Sequence, residues 1–121
     1  MKFKGKIGPG RGYDSSRIWD EGLIDVFGYK PFEGTLNIYV RPNLKEDDVL
    51  KKFNLINPFK DFICIEGSLN GVKSHFCYSK NRKHKNISTF YVVSEFKLRE
   101  KFNFKDAQWI DIELKEKDEA N

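Results

Sequence analysis

A small closed β-barrel is the fold this sequence predicts, and three observations point to it. Short alternating stretches recur along the whole chain. Glycine- and asparagine-containing turns separate them. Helical periodicity is confined to a few brief segments. The 121 residues include eleven Phe, five Tyr and two Trp within an apolar fraction of 39%. That is enough for one modest core and one domain, expected at residues 1–115 with a flexible C-terminal tail at 116–121.

The elements follow in order. Phe3, Gly5 and Ile7 alternate with Lys2, Lys4 and Lys6, which predicts a half-buried first strand. A glycine-rich turn comes next, Gly8-Pro9-Gly10-Arg11-Gly12. Asp14-Ser15-Ser16 then offers cap chemistry, Trp19, Leu23, Val26 and Phe27 recur at helical spacing, and Gly28 marks a stop. Gly22 makes that helix short or irregular. Leu36, Ile38 and Val40 share one face of a second strand, with Asn37, Tyr39 and Arg41 on the other, and Pro42 is expected to end it. Asp47-Asp48 opens a further short helix carrying Val49, Leu50 and Phe53.

The clearest hairpin lies between Asp61 and Ser79. Asn70-Gly71 is the favoured two-residue turn, since both positions need positive φ. It puts Cys64 opposite Cys77 and Glu66 opposite His75 on one face, with Ile63 opposite Tyr78 and Ile65 opposite Phe76 on the core face. Lys80 to Lys85 forms a basic loop, and Ser88 to Ser94 is a β-rich run. Phe96 to Phe102 holds one or two helical turns, and Trp109 to Leu114 alternates as the last strand. The sum is a mainly-β chain of six strands with one or two short helices.

The formal charge of +4 favours anionic partners such as nucleotides and is too mild to imply nucleic acid, which is not expected as a partner. Met1 to Ile7 has no apolar stretch of a secretory signal, and no apolar run approaches the ~20 residues of a membrane span. Two cysteines are too few for a disulfide framework, so a cytoplasmic location is the expectation.

Two short motifs carry the chemistry. The three glycines of Gly8–Gly12 remove side chains so that consecutive N–H groups can converge on a phosphate, with Arg11 adding a fixed charge. The same turn also serves as a tight strand connection, and it is neither a Walker A motif nor a dinucleotide fingerprint. In Gly34-Thr35-Leu36-Asn37, Thr35 and Asn37 fall on one strand face, where neutral oxygens suit a magnesium ion completed by phosphates and water. Read as a plain strand, they face solvent. Glu66, His75, Cys64 and Cys77 are ligand types of zinc sites, but their spacing favours a Glu66–His75 surface pair or buried thiols. The basic loop is either a solvated hairpin tip, a lid over a nucleotide, or a macromolecular contact.

Taken in order, the motifs resemble the archaeal CTP-dependent riboflavin kinases. The family's strand and G-x-G-x-G loop correspond to Gly8–Gly12, its acidic residue and G-T-L-N to Glu33–Asn37, and its L-R-E segment to Leu98-Arg99-Glu100. The resemblance implies a cradle-loop β-barrel of the riboflavin-kinase type. It implies that Gly8, Pro9, Gly10, Arg11, Gly12 and Tyr13, with Lys97, Leu98, Arg99 and Glu100, hold CTP or its product CDP, and that Thr35 and Asn37 bind Mg2+. The reaction implied moves the γ-phosphoryl of CTP to a primary hydroxyl. Departures fall on the acceptor side: the family's Glu lies near Tyr91, its Ala-Pro reads Ser94-Glu95, and its D-G-D turn reads Asp106-Ala107-Gln108. Tyr91, Glu95 and the Trp19 region are therefore the expected acceptor pocket, for riboflavin or another small alcohol. The alternative class is a non-catalytic barrel that binds a nucleotide or a macromolecule.

Overall fold

The computed structural model describes residues 1–9, 23–32, 36–59, 61–82 and 85–117. Its strands are β1 (Lys2–Ile7), β2 (Leu36–Lys45), β3 (Leu55–Phe59), β4 (Phe62–Leu69), β5 (Val72–Ser79), β6 (Asn86–Val93) and β7 (Trp109–Leu114). Among the described residues three short helices join them: α1 (Leu23–Phe27), α2 (Glu46–Lys52) and α3 (Leu98–Lys101). The strands hydrogen-bond in the order β3-β4-β5-β6-β2-β1-β7, and β7 also pairs with β4. That pairing closes six antiparallel strands into a barrel and leaves β3 outside, attached to β4.

Local chemistry explains the register. Asn70 (φ 48°) and Gly71 (φ 79°) both take the left-handed conformation that a two-residue hairpin turn requires. Cys64 then faces Cys77, Ile65 faces Phe76 and Glu66 faces His75. Ile65, Phe76 and Tyr78 are buried in the barrel with Ile38, Phe90 and Ile112. At the closing seam Gly67 pairs with Leu114. A Cβ there would lie 2.2 Å from the Glu113 carbonyl oxygen, so only glycine lets β4 and β7 meet. Helix α1 ends as the sequence predicts, with Gly28 at φ 80° and its N–H donating to the Ile24 carbonyl at 2.8 Å. Helix α2 carries Glu46, Asp47 and Asp48 in its first turn and Lys51 and Lys52 in its last, which complements the helix dipole.

Four expectations change. Pro42 does not end β2, which runs on to Lys45; the Arg41–Pro42 peptide is cis and the register against β6 shifts between Tyr39 and Leu44. Proline is tolerated at such an irregularity because no ladder hydrogen bond is asked of its nitrogen. Strand β3 has no counterpart in the sequence reading, since it is short, contains Pro58 and pairs only with β4. Third, Cys64 and Cys77 are not free thiols but a cross-strand disulfide, their Cα atoms 4.0 Å apart. Fourth, the face they occupy is not solvent-exposed. Cys64, Cys77 and Val93 form a second apolar cluster with Phe27, on the side of the sheet away from the barrel core.

Past β7, the Lys115 N–H donates to the Glu66 carbonyl and Glu116 bridges to Phe53, while residues 118–121 lie outside the described residues. No helix among the described residues is long and apolar enough to cross a membrane.

Candidate functional site at the barrel rim

The rim site begins where β1 gives way to the glycine turn. Gly8 donates its N–H to the Asn37 carbonyl at 2.8 Å, one step beyond the Ile7–Ile38 pair. A Cβ on Gly8 would lie 3.2 Å from that oxygen and 3.3 Å from Tyr39 Cε2, so the two strands approach more closely than a side chain readily permits. From α3, Arg99 reaches across: Nη2 donates to the Gly8 carbonyl at 2.7 Å and Nη1 to the Asp106 carboxylate at 2.8 Å. The turn after α3 is hooked to the same place. Ile7 N–H donates to the Gln108 carbonyl and Ala107 N–H to the Ile7 carbonyl, both at 2.8 Å.

Gly8, at the start of the glycine-rich stretch, is therefore where β1, the Asn37 strand and the Arg99 helix, far apart in the chain, meet. Around that junction the remaining residues take distinct places. Asn37 is half-buried on the outer face of β2, and none of the described residues hydrogen-bonds its side-chain amide. Tyr91 is its cross-strand partner on β6 and stands exposed, its ring edge-on to Phe62 with centroids 5.9 Å apart. Lys97 pairs with Glu100 at 3.0 Å on the exposed side of α3. The Leu98 side chain is buried in the barrel core, which leaves its main chain as the part able to face a ligand. Pro9 and Glu95 are exposed. Gly10, Arg11, Gly12, Tyr13, Trp19, Glu33, Gly34 and Thr35 lie outside the described residues.

One sequence expectation is corrected on the outer face of the β4–β5 hairpin. Glu66 and His75 occupy opposed positions without pairing. The Glu66 carboxylate lies 3.9 Å from Lys115 and 4.0 Å from Lys73, while the buried His75 ring has its Nδ1 2.8 Å from the Tyr29 hydroxyl. Burial is the larger cause, and the Lys73 charge the smaller, that holds His75 down at about 4, so it is neutral at pH 7. Burial, aided by Glu95 and Glu66, raises Tyr29 and keeps its phenol protonated. The disulfide also removes both thiolates from any metal chemistry. In the basic loop, Arg82 is folded back. It donates to the Ser79 and Lys85 carbonyls, pairs with Glu46 at 3.3 Å and lies over the Tyr78 ring at 4.8 Å. Its guanidinium is thus engaged by Ser79, Lys85 and Glu46; Lys83 and His84 lie outside the described residues.

Among the described residues no three His, Cys, Asp or Glu side chains gather as a metal site. Magnesium bound with a nucleotide needs only one or two protein oxygens, because phosphates and water fill the rest of its octahedron. The half-buried Asn37 carboxamide, unengaged by the described residues, fits that demand.

The fold defines the class: a closed six-stranded antiparallel barrel whose glycine turn, amide-bearing strand and short arginine helix meet at one rim. The family follows from comparison of sequences. A family model described as a domain of unknown function, DUF120, and labelled as a CTP-dependent riboflavin kinase, matches residues 3–114, and the chain belongs to that family. The chain is also similar to the riboflavin kinase of Archaeoglobus fulgidus, with 27% identity over 128 aligned residues. The alignment takes in 94% of this chain and 54% of the relative, so the chain spans about half the length of the curated protein it matches.

Proposed function

We propose that this domain is a CTP-dependent kinase that transfers the γ-phosphoryl group to a hydroxyl of a small alcohol, with riboflavin, giving FMN, as the first acceptor to test. One observation supports the reading: Gly8 is hydrogen-bonded to both Asn37 and Arg99, so one residue from each of the three motifs meets at one place. Membership of the family and the similarity to a riboflavin kinase support the same assignment.

In this reading the nucleotide lies along the turn at Gly8, Pro9, Gly10, Arg11, Gly12 and Tyr13 and against Lys97–Glu100. Gly8 gives its N–H to the Asn37 carbonyl and Pro9 has none. The N–H groups offered to the phosphates would therefore be those of Gly10, Arg11, Gly12 and Tyr13, with Arg99 holding the Gly8 carbonyl. Thr35 and Asn37 supply the protein oxygens for Mg2+, which neutralises charge on the phosphate oxygens when bound. Tyr91, adjacent to Asn37 across the sheet, and Glu95 line the acceptor side. The acceptor oxygen forms a bond to the γ-phosphorus as the bond to the β–γ bridging oxygen breaks. CDP leaves and the hydroxyl proton passes to solvent. Catalysis is mainly positioning, because phosphoryl transfer asks little covalent chemistry of the protein.

The test is a phosphoryl-transfer assay with Mg2+, comparing CTP with ATP and riboflavin with other small alcohols. FMN and CDP formed in equal amounts from CTP support the reading. CTP turnover with another alcohol keeps the kinase and replaces the acceptor. Absence of turnover with every acceptor, together with no CTP-induced shift in melting temperature, overturns it. Asn37→Ala is expected to fold normally and to lose Mg2+-dependent turnover, and full retained activity would remove Asn37 from the metal site.

A further inference from the structure

The outer face of β5 carries a buried polar group that barrel closure does not require. His75 is 3% exposed and points away from the barrel core, with the Phe27 ring edge-on to it at 4.9 Å. A valine-sized side chain would pack there without the cost of desolvating an imidazole. The imidazole adds one specific contact. Its Nδ1 lies 2.8 Å from the Tyr29 hydroxyl, which also donates to the Val93 carbonyl at 3.0 Å. Val93 is the cross-strand partner of His75, so Tyr29 grips both members of one pair. A hydroxyl has a single proton and a carbonyl only accepts. Both contacts are therefore satisfied together when His75 Nδ1 carries a proton and donates it to Tyr29.

The chain is tied again just beyond this grip. Phe32 N–H donates to the Ser94 carbonyl at 2.8 Å, and Ser94 Oγ accepts the Phe96 N–H at 3.3 Å. Residues 29–32 lead directly into the Glu33–Asn37 stretch, and residues 93–96 lead into Lys97–Glu100. The Tyr29 hydroxyl, held by His75 on β5, thus fastens the two approaches to the rim to each other through the Val93 carbonyl. The disulfide and Phe27 form the apolar floor beneath it.

We propose that Tyr29 and His75 are positioning residues, whose hydrogen-bonded pair holds segment 29–32 on segment 93–96 and thereby aligns the Asn37 side of the rim with the Arg99 side. The kinetic consequence rests on the kinase reading; the fastening itself does not. Polar pairs of this kind favour one arrangement of a cluster over its alternatives, where apolar packing alone would accept several. Both residues act through the segments they hold.

Tyr29→Phe removes only the hydroxyl, and His75→Val keeps the packing while removing the ring nitrogens. Amide hydrogen exchange in both variants is expected to quicken about tenfold at Phe32 and Phe96, with Phe90 in the barrel wall unchanged. Unchanged exchange at Phe32 and Phe96 in both variants overturns the fastening, whether or not the wild type turns over CTP. With an active wild type, kcat is expected to fall about tenfold in both variants, while KM for CTP stays within about twofold. His75→Asn, which retains a donor, is expected to recover part of kcat. Faster exchange with wild-type kcat would overturn the positioning role and leave the pair purely structural. A wild type that turns over no acceptor and shows no CTP-induced shift in melting temperature refutes the kinase reading, and the exchange result then decides the fastening by itself.

Discussion

Arg99 donates to the carbonyl oxygen of Gly8 at 2.7 Å across 91 residues of sequence. Through its other nitrogen the same guanidinium holds Asp106, so the last third of the chain is tied to Gly8 at the end of β1. Lysine has no planar fork and cannot make both contacts at once. Arg99→Lys is expected to cost about 1–2 kcal/mol of stability, measured by denaturant unfolding, and to weaken CTP binding about tenfold by titration calorimetry. Wild-type stability together with wild-type affinity would separate Arg99 from the site.

The barrel seam gives a test of the architecture itself. A methyl group on Gly67 would meet the Glu113 carbonyl oxygen at 2.2 Å and the Phe76 ring at 3.0 Å, and neither the backbone nor the core ring can yield cheaply. Gly67→Ala is therefore expected to destabilise by about 3 kcal/mol or more, through separation of β4 from β7. A thermal melt within a degree of wild type would mean that the barrel does not close along this pair.

Ala107 sits at φ 65° in the turn that hooks onto Ile7, a conformation that disfavours any residue with a Cβ. Ala107→Gly relieves that strain, offset in part by a freer unfolded chain, and is expected to stabilise by about 0.5–1 kcal/mol. A lower melting temperature for the variant would contradict the assigned backbone conformation.

His75 gives the protein a defined acid sensitivity. Its value in the folded state is about 4 against an ordinary 6.5, with burial the main cause and Lys73 the lesser one; Glu66 and Glu95 are the carboxylates near its partner Tyr29. A histidine held neutral binds its proton more readily once unfolded. Its contribution is therefore fully present above pH 6.5 and is lost as pH falls toward 4, by up to about 3 kcal/mol. His75→Val lacks this component. The stability of the variant relative to wild type should rise as pH is lowered through that window, and parallel pH profiles would contradict the buried neutral imidazole.

What the sequence makes legible is chemistry that acts locally. The Asn70-Gly71 turn demands two positive φ angles and so announces its hairpin and the opposition of Cys64 and Cys77. Alternation in Trp109–Leu114 reads directly as β7. The missed features are set by distant packing. Pro42 is a strand end by local rules, yet the register shift between Tyr39 and Leu44 absorbs it. The Tyr29–His75 pair spans 46 residues and leaves no local pattern. The second face of the β4–β5 hairpin looks polar from Glu66 and His75, but Phe27 and Tyr29 cover it. At the rim, the three motifs are legible as separate segments, whereas their meeting at Gly8 depends on β1 pairing with β2 and β7 at once.

The most direct measurement is 31P nuclear magnetic resonance of the protein with CTP, Mg2+ and riboflavin. The account predicts loss of the γ-phosphate resonance of CTP with matched growth of CDP and of the FMN phosphomonoester, and neither change when Mg2+ is chelated. A CTP spectrum that stays constant with riboflavin and with every other small alcohol supplied would contradict phosphoryl transfer as the function of this barrel.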